Sequence, residues 1–518
     1  MSEHVSSGQE TPRRLERLLL DHTMPPDAPL IRCGDENVSR AELTESAFAL
    51  ARVLTECGVG TGEPVVYIVG RGATAVAAMF GVWLAGAVYV PLNGRHTEHE
   101  LIRQLQESAP AIVIADAATC DLVPAGYTCV LADAVGQWRV IRTGLPLART
   151  ALPADAALLM RTSGTVSKPK AVVLRHEGVL AGIDTVVDRI RGSSTRRRSD
   201  DRPPQPNLIP TSLALWAGVW NTIFAMRISA PVVVMDRFET LQFAEIVRTY
   251  GITSSILAPA MMSMLVEDER ITDLSPLRIV RSISAPLSPV QARRFHERFG
   301  VMVLNSYGQT ELGSEIAGWT TRDIREYGDR KLGAVGRVHP GIGIKVLDEE
   351  GRALGVGESG EIFVSSPFSV LTEQSTGFDQ DRIADGFLRT GDIGYLDEDG
   401  FIWVEGRVSD MINRGGLKVV PGEVEEALRE LPDIQDACVA GIPDPRLGEV
   451  PVAWVIAAQG RAVEPLTVAE QLRQTLAGYK IPIDFRIVDG DFPRSEIGKV
   501  LRRELVQQYV PIEETANS

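Results

Sequence analysis

The sequence predicts an α/β protein: a large N-terminal domain of parallel-rich sheets layered with helices, a small β-rich subdomain, and a small α+β C-terminal domain. Three observations predict it. Helical periods alternate with short apolar runs from Leu15 to about Asp155, and again from Ala171 to Leu304, the pattern of βαβ units. After Gly336 the texture changes to short strands punctuated by Gly, Asp and Glu. Beyond Arg407 a compact α+β segment follows, which puts the domain boundary near Ser409 and divides the chain into 1–408 and 409–518.

The elements follow in order. Met1 to about Thr11 is polar and reads as frayed, without the basic start and apolar core of a signal peptide. Ala41 to Cys57 is an amphipathic helix, Pro64 to Val69 a buried strand, and Val76 to Leu84 a helix. Ala87 to Leu92, Ala111 to Ala115, Pro231 to Met235 and Val301 to Leu304 read as further strands. Ile344 to Leu347, Gly360 to Val364 and Phe401 to Val404 form the β-rich unit. In the last domain, Val424 to Leu431 and Val468 to Leu476 are helices, and Ala437 to Gly441 and Val452 to Ala457 are strands.

A chain of 518 residues suggests about three compact units at roughly 150 residues each. Its 44% hydrophobic and 23% charged residues are ordinary for a soluble globular protein. The most apolar windows, such as Val76 to Val90, are too short and too rich in Gly and Ala to span a bilayer. The five cysteines (Cys33, Cys57, Cys120, Cys129, Cys438) are scattered, odd in number and form no C-x-x-C pair, so a reducing cytoplasm is expected. The seven histidines and these cysteines show no zinc spacing, and His176 reads as a structural histidine. A net charge of -15 opposes general binding to nucleic acid or anionic membranes. Self-association stays open.

Two polar segments interrupt the pattern. Arg189 to Pro206 (RIRGSSTRRRSDDRPPQP) reads as a surface loop, with a basic contact for a partner or phosphate as the other reading. In Leu158 to Leu174 an apolar run leads into Thr162-Ser163-Gly164-Thr165-Val166-Ser167-Lys168-Pro169-Lys170, and a second apolar run follows. Small hydroxyl residues beside a glycine let backbone N–H groups approach a polyphosphate, and Lys168 and Lys170 add positive charge. A solvated Ser/Thr turn between two strands fits the same residues.

This loop resembles the [ST]-S-G-[ST]-T-G-x-P-K-G segment of the adenylate-forming superfamily, which comprises acyl-CoA synthetases, peptide-synthetase adenylation domains and luciferases. Five further segments are similar to that family's motifs, in its order: Asn305-Ser306-Tyr307-Gly308-Gln309-Thr310-Glu311; Arg389-Thr390-Gly391-Asp392; Glu405-Gly406-Arg407-Val408-Ser409-Asp410; Gly415-Gly416-Leu417-Lys418 running on to Glu425; and Pro493-Arg494-Ser495-Glu496-Ile497-Gly498-Lys499. Some positions depart from the pattern. Val166 and Ser167 stand where Thr and Gly are usual, Ala171 where Gly is common, Leu215 at the place of a frequent His, and Ile283 in a stretch usually rich in glycine.

The resemblance implies ATP, Mg²⁺ and coenzyme A as reactants and cofactor. It assigns Lys499, Glu311 and Thr310 to catalysis, with Glu311 also holding Mg²⁺. It assigns Thr162, Ser163, Gly164, Thr165, Lys170, Ala285, Pro286, Ser306, Tyr307, Gly308, Asp392 and Arg407 to the nucleotide. Tyr307 would offer a face to adenine, and Asp392 would accept the ribose hydroxyls. Gly415, Gly416 and Lys418 would form the coenzyme A channel, and Leu215, Trp216, Gly218, Ile283 and Gly313 the acyl pocket. Without the resemblance, Lys499 reads as a surface lysine in a glycine turn, and Asp392 as a turn residue paired with Arg407.

The implied reaction joins a carboxylic acid to AMP and passes the acyl group to a thiol. Ser212 to Gly218 lacks an Asp that could pair with a substrate ammonium, so an acid without an α-amino group is expected. Leu213, Leu215, Trp216, Trp220 and Met261 to Met264 suggest an apolar pocket and so a bulky or fatty acid, with plain core as the other reading of the same stretch. The acceptor reads as coenzyme A, with a carrier-protein thiol as the alternative and an inactive nucleotide-binding homologue as the remote one. Lys499 and the Gly415-Gly416 loop must serve the two steps in turn, which implies a mobile C-terminal domain hinged at Ser409.

Overall fold

The computed structural model describes residues 13–70, 72–144, 151–162, 170–193, 205–368, 383–495 and 498–509. Ser163, Gly164, Thr165 and Lys168 of the expected phosphate loop lie outside these residues.

The described residues form four sheets. Pro64–Val69 is apolar at every position and pairs in parallel with Val88–Asn93 on one side and Ile112–Ala115 on the other. Such strands are buried on both faces by crossover helices. The Arg40–Glu56 helix, which leads from the other sheet into Pro64–Val69, starts at a capping box in which Ser39 Oγ accepts from Glu42 N (3.2 Å) and Glu42 accepts from Ser39 N (2.8 Å). A second seven-stranded sheet runs from Met302–Leu304 through Ile279–Ser282 to Pro29–Cys33 and Glu36–Ser39. Leu43, Phe80, Trp83, Val179 and Ile223 pack in the shared core between these layers.

The β-rich unit is larger than the sequence suggested. It begins at Ser306–Gln309, not after Gly336, and forms an eight-stranded, antiparallel-paired sheet that includes Phe387–Leu396 and Phe401–Arg407. A five-stranded sheet, whose strands all follow Arg407, packs with the Pro421–Arg429 and Pro465–Leu472 helices into the small C-terminal domain.

The Arg189 to Pro206 expectation is corrected at its start, while residues 194–204 lie outside the described residues. Arg189 belongs to the His176–Ser193 helix and is partly buried, not part of a surface loop. Its guanidinium donates to the carbonyls of Arg337 (2.8 Å), Val338 (3.1 Å) and Gly318 (3.0 Å) and to His339 Nδ1 (2.9 Å). Those partners were invisible in a local reading because they lie far along the chain. Among the described residues, no helix is long and apolar enough to cross a membrane.

Candidate active site

The site forms where the eight-stranded sheet meets the C-terminal domain. Tyr307 and Gln309 alternate on the Ser306–Gln309 strand and so face the same side. Tyr307 Oη donates to Asp392 Oδ2 at 2.6 Å, and Gln309 Nε2 donates to the same oxygen at 2.7 Å. Asp392 Oδ1 accepts from Arg407 Nε at 3.0 Å. Asp392 is only 3% exposed, so the carboxylate is held inside the protein by three donors. Beneath it, Thr390 Oγ1 donates to Ile362 O (2.7 Å) and accepts from Asp392 N (3.1 Å).

Burial works against the charge on Arg407, but the carboxylates of Asp392 and Asp410 hold its pKa above the ordinary value, with Tyr307 and Glu311 adding to the effect. Burial and the neighbouring Asp392 push the Tyr307 phenol well above its usual range, so it remains a hydrogen-bond donor. Thr310 and Glu311 sit in one short turn, Thr310–Leu312, closed by Gly313 in the left-handed region (φ 72°), whose N–H donates to Thr310 O at 3.0 Å. A Cβ at Gly313 would come within 2.6 Å of the Phe368 carbonyl, so only glycine fits.

Lys499 enters this group from the C-terminal domain. Its loop is a tight turn in which Ser495 N donates to Lys499 O and Gly498 N to Ser495 O, each at 2.8 Å. Gly498 has φ 76° and rests on Ala260 at the start of the Pro259–Glu267 helix, where a Cβ would meet Ala260 Cβ at 2.6 Å. Burial, followed by the nearby Arg407 guanidinium, lowers the Lys499 pKa to about 8. Among the described residues none pairs with its ammonium. The structure therefore presents Lys499, not the Gly415-Gly416 loop, to Asp392 and Arg407.

Gly415 and Gly416 form an exposed hairpin tip at φ 61° and 88°. Gly415 N donates to Leu447 O (2.7 Å), Gly416 N to Asn413 Oδ1 (3.0 Å), and Lys418 pairs with Glu349. None of these partners belongs to the Asp392 group. Ser409 is exposed, and its hydroxyl donates to Asp410 Oδ1 (3.0 Å). Asp410 Oδ2 accepts from Arg502 (2.7 Å), which also reaches Glu425 (2.6 Å), so the residue after Ser409 is fastened to the C-terminal domain.

The other expected residues divide. Ser306 Oγ donates to Ser282 O at 2.8 Å, joining the site strand to the Ile279–Ser282 strand. Gly308 is packed so closely that a Cβ would meet Ser314 O at 2.6 Å. Ala285 N donates to Ile283 O across Ser284, which is itself left-handed at φ 72°, while Pro286 is exposed. Thr162 and Lys170 pair at the end of an antiparallel hairpin. Leu215 and Trp216 stand half-buried at the start of the Trp216–Arg227 helix, and Gly218 abuts the Ser212 carbonyl.

Some of the apolar-pocket residues are core instead. Leu213 and Trp220 lie in the main cluster, with Trp220 Nε1 donating to Ser314 Oγ at 3.3 Å. Met262 is fully buried in a second cluster, and Met264 is 45% exposed. The helical period carries these side chains to different faces.

Sequence reasoning assigned no role to Gln309, Asp410 or Arg502. The signal for Gln309 was its place two residues after Tyr307 on one strand.

A site with a buried, triply bonded carboxylate, an arginine and a lysine of lowered pKa suits a nucleotide and its phosphates. The family described as AMP-binding enzyme matches residues 21–372, and its C-terminal domain matches residues 423–499. The chain belongs to the AMP-binding enzyme family. It is 30% identical over 506 residues to the indoleacetate–CoA ligase of Aromatoleum aromaticum, covering 94% of this chain and 96% of that protein. It is 28% identical over 498 residues to the fatty acid–[acyl-carrier-protein] ligase ScoC of Streptomyces coeruleorubidus, covering 93% and 94%. The ATP-bound crystal structure of MatB from Rhodopseudomonas palustris superposes with a TM-score of 0.84 at 26% identity, covering 96% of this chain and 99% of that one. These relatives place the chain among the AMP-forming acid–thiol ligases.

Proposed function

We propose that the protein uses ATP to activate a hydrophobic, non-amino carboxylic acid and then transfers the acyl group to coenzyme A. In the first step a carboxylate oxygen attacks the α-phosphorus, the bond to the β-phosphate bridge breaks, and pyrophosphate leaves with acyl-AMP remaining. In the second a thiolate sulfur attacks the acyl carbonyl, and AMP departs. Both steps are chiefly problems of position and charge. The observation that carries the proposal is the meeting of the half-buried Lys499 with Arg407 and the buried Asp392.

In this reading the ammonium of Lys499 draws the carboxylate and α-phosphate together, Arg407 and Asp392 hold the ribose end, and Thr310 donates to the α-phosphate. Mg²⁺ supplies charge neutralisation to the polyphosphate. Among the described residues no group of three or more His, Cys, Asp or Glu gathers to hold a metal. The half-buried Glu311 therefore fits an ion carried mainly by phosphate oxygens and water. The domain boundary falls at Ser409, and rotation there would exchange Lys499 for the Gly415-Gly416 hairpin. That hairpin bears no side chain at its tip and suits a narrow pantetheine arm.

The test is a panel of acids scored for pyrophosphate release with and without coenzyme A. Turnover with thioester supports the proposal, and no turnover with any acid overturns it. The similarity to ScoC favours a second reading, a carrier-protein thiol as acceptor. Pyrophosphate release without acyl-CoA, followed by loading of a phosphopantetheinylated carrier protein, would establish that reading.

A further inference from the structure

The two domains also meet away from the reacting groups, through two helices that exchange charges. The Pro289–Phe299 helix precedes Ser409 and the Pro421–Arg429 helix follows it, so this contact spans the expected hinge. Arg294, on the first helix, places its guanidinium against the C-terminal end of the second. Nη2 donates to Arg429 O (3.3 Å) and Ile434 O (3.4 Å), and Nη1 donates to Gln435 O (3.2 Å). Glu426, on the second helix, returns a carboxylate to the N-terminal end of the first, accepting from Val290 N at 3.4 Å. Each helix thus supplies the charge that the other helix's end favours. Beside them, Gln435 Nε2 donates to Glu267 Oε1 at 2.6 Å.

We propose that Arg294 is a positioning residue that latches the C-terminal domain in the orientation presenting Lys499. The proposal rests on the two-step reaction proposed above. The argument is geometric. Arg429 O at the helix end needs a donor, Ile434 O and Gln435 O open the strand that follows, and a planar guanidinium reaches all three where an ammonium serves them less well. Rotation at Ser409 carries Arg429, Ile434 and Gln435 away from Arg294 together, so these bonds exist only in the Lys499-presenting orientation. Arg294 touches no residue of the Asp392 group and acts only through the placement of Lys499.

The test compares Arg294→Ala, Arg294→Lys and Arg293→Ala in the full-length protein. Arg293 is the exposed neighbour on the same helix and serves as control. Arg294→Ala should slow acid-dependent ATP–pyrophosphate exchange about tenfold, the scale of hydrogen bonds to a charged group. It should leave thioester formation from supplied acyl-adenylate unchanged or faster, with Arg294→Lys intermediate and Arg293→Ala like wild type. Hydrogen–deuterium exchange supplies a readout independent of turnover: the amide hydrogens of 290–294 and of 429–437 other than Pro432 should exchange faster in Arg294→Ala, and those of 65–69 should not. Equal losses in both half-reactions, or unaltered exchange at 429–437, would overturn the latch. A wild-type protein inactive on every acid would instead remove the proposed function, and the exchange measurement would still decide the latch.

Discussion

Asp392 and Arg407 face each other as direct partners across the antiparallel pair Phe387–Leu396 and Phe401–Arg407, and their side chains join at 3.0 Å. One residue lies within the Thr390-Gly391-Asp392 run of the first strand, the other ends the second strand just ahead of Ser409, and sheet register makes them neighbours. Asp392→Asn keeps the shape and removes the charge that orders Tyr307, Gln309 and Arg407. It should lower kcat/KM for ATP by about 10- to 100-fold, the cost expected for weakening hydrogen bonds to a charged group. Steady-state kinetics on a preparation with wild-type circular dichroism would check this, and an unchanged kcat/KM would remove Asp392 from the nucleotide site.

Lys499→Ala should slow adenylation by about 10²- to 10³-fold, the scale for one preorganised charge-stabilising donor, and should largely spare thioester formation from supplied acyl-adenylate. Comparable loss in both half-reactions would refute that division of labour.

The pH profile should carry the same signature. A lysine lowered to about 8 loses its charge as pH rises through that value. Since kcat/KM reports the free enzyme, kcat/KM for ATP in adenylation should decline above about pH 8. The kcat limb should fall at higher pH, because bound phosphates favour the ammonium. A profile flat to pH 10 would show that the charged lysine is dispensable.

Ser409→Pro should retain pyrophosphate release and lose transfer to coenzyme A. Proline fixes φ near -65°, and the structure already holds Lys499 at the site, so the retained step is the first. Acyl-CoA formed at the wild-type rate would show that no motion at Ser409 is required.

Acid stability should depend on His176. Burial, with Arg14 nearby, lowers its pKa to about 3, and its Nδ1 accepts from Leu15 N at 3.1 Å, which requires the neutral ring. The folded pKa lies below the unfolded one, so this contribution is present above about pH 6.5 and is lost as pH falls towards 3. Its slope is about 1.4 kcal/mol per pH unit. His176→Asn keeps an acceptor but cannot titrate. Urea midpoints between pH 4 and 6.5 should therefore vary less with pH in the variant. An equal dependence would assign acid sensitivity elsewhere, with His22, lowered to about 4 by burial, as the next candidate.

Much of the fold was legible because local patterns fixed it. The apolar run Pro64–Val69 read as a buried strand, and the amphipathic period of Ala41 to Cys57 read as a helix. The site strand Ser306–Gln309 was not recognised as the start of the β-rich unit. Its alternating positions carry Tyr307 and Gln309 towards a polar site, so it lacks an apolar period. Arg189 looked like part of a solvated run because its acceptors lie more than a hundred positions onward. The pocket methionines failed for the opposite reason: composition suggested apolar lining, while helical phase sent Met262 to the core and Met264 to solvent.

The carboxylate of Asp392 has a consequence for sugar selectivity. A carboxylate offers about four lone-pair positions, and three are already engaged, by Tyr307, Gln309 and Arg407. A ribose bringing two hydroxyls finds one position open, and its second hydroxyl must displace a donor already in place. Its heat of binding should then be small, and most affinity should come from the phosphate tail. Calorimetry should find adenosine binding with little heat and far more weakly than AMP, and 2′-deoxy-ATP should serve nearly as well as ATP. An enzyme arranged in this way draws more of its nucleotide affinity from charge than from the hydroxyls of the sugar.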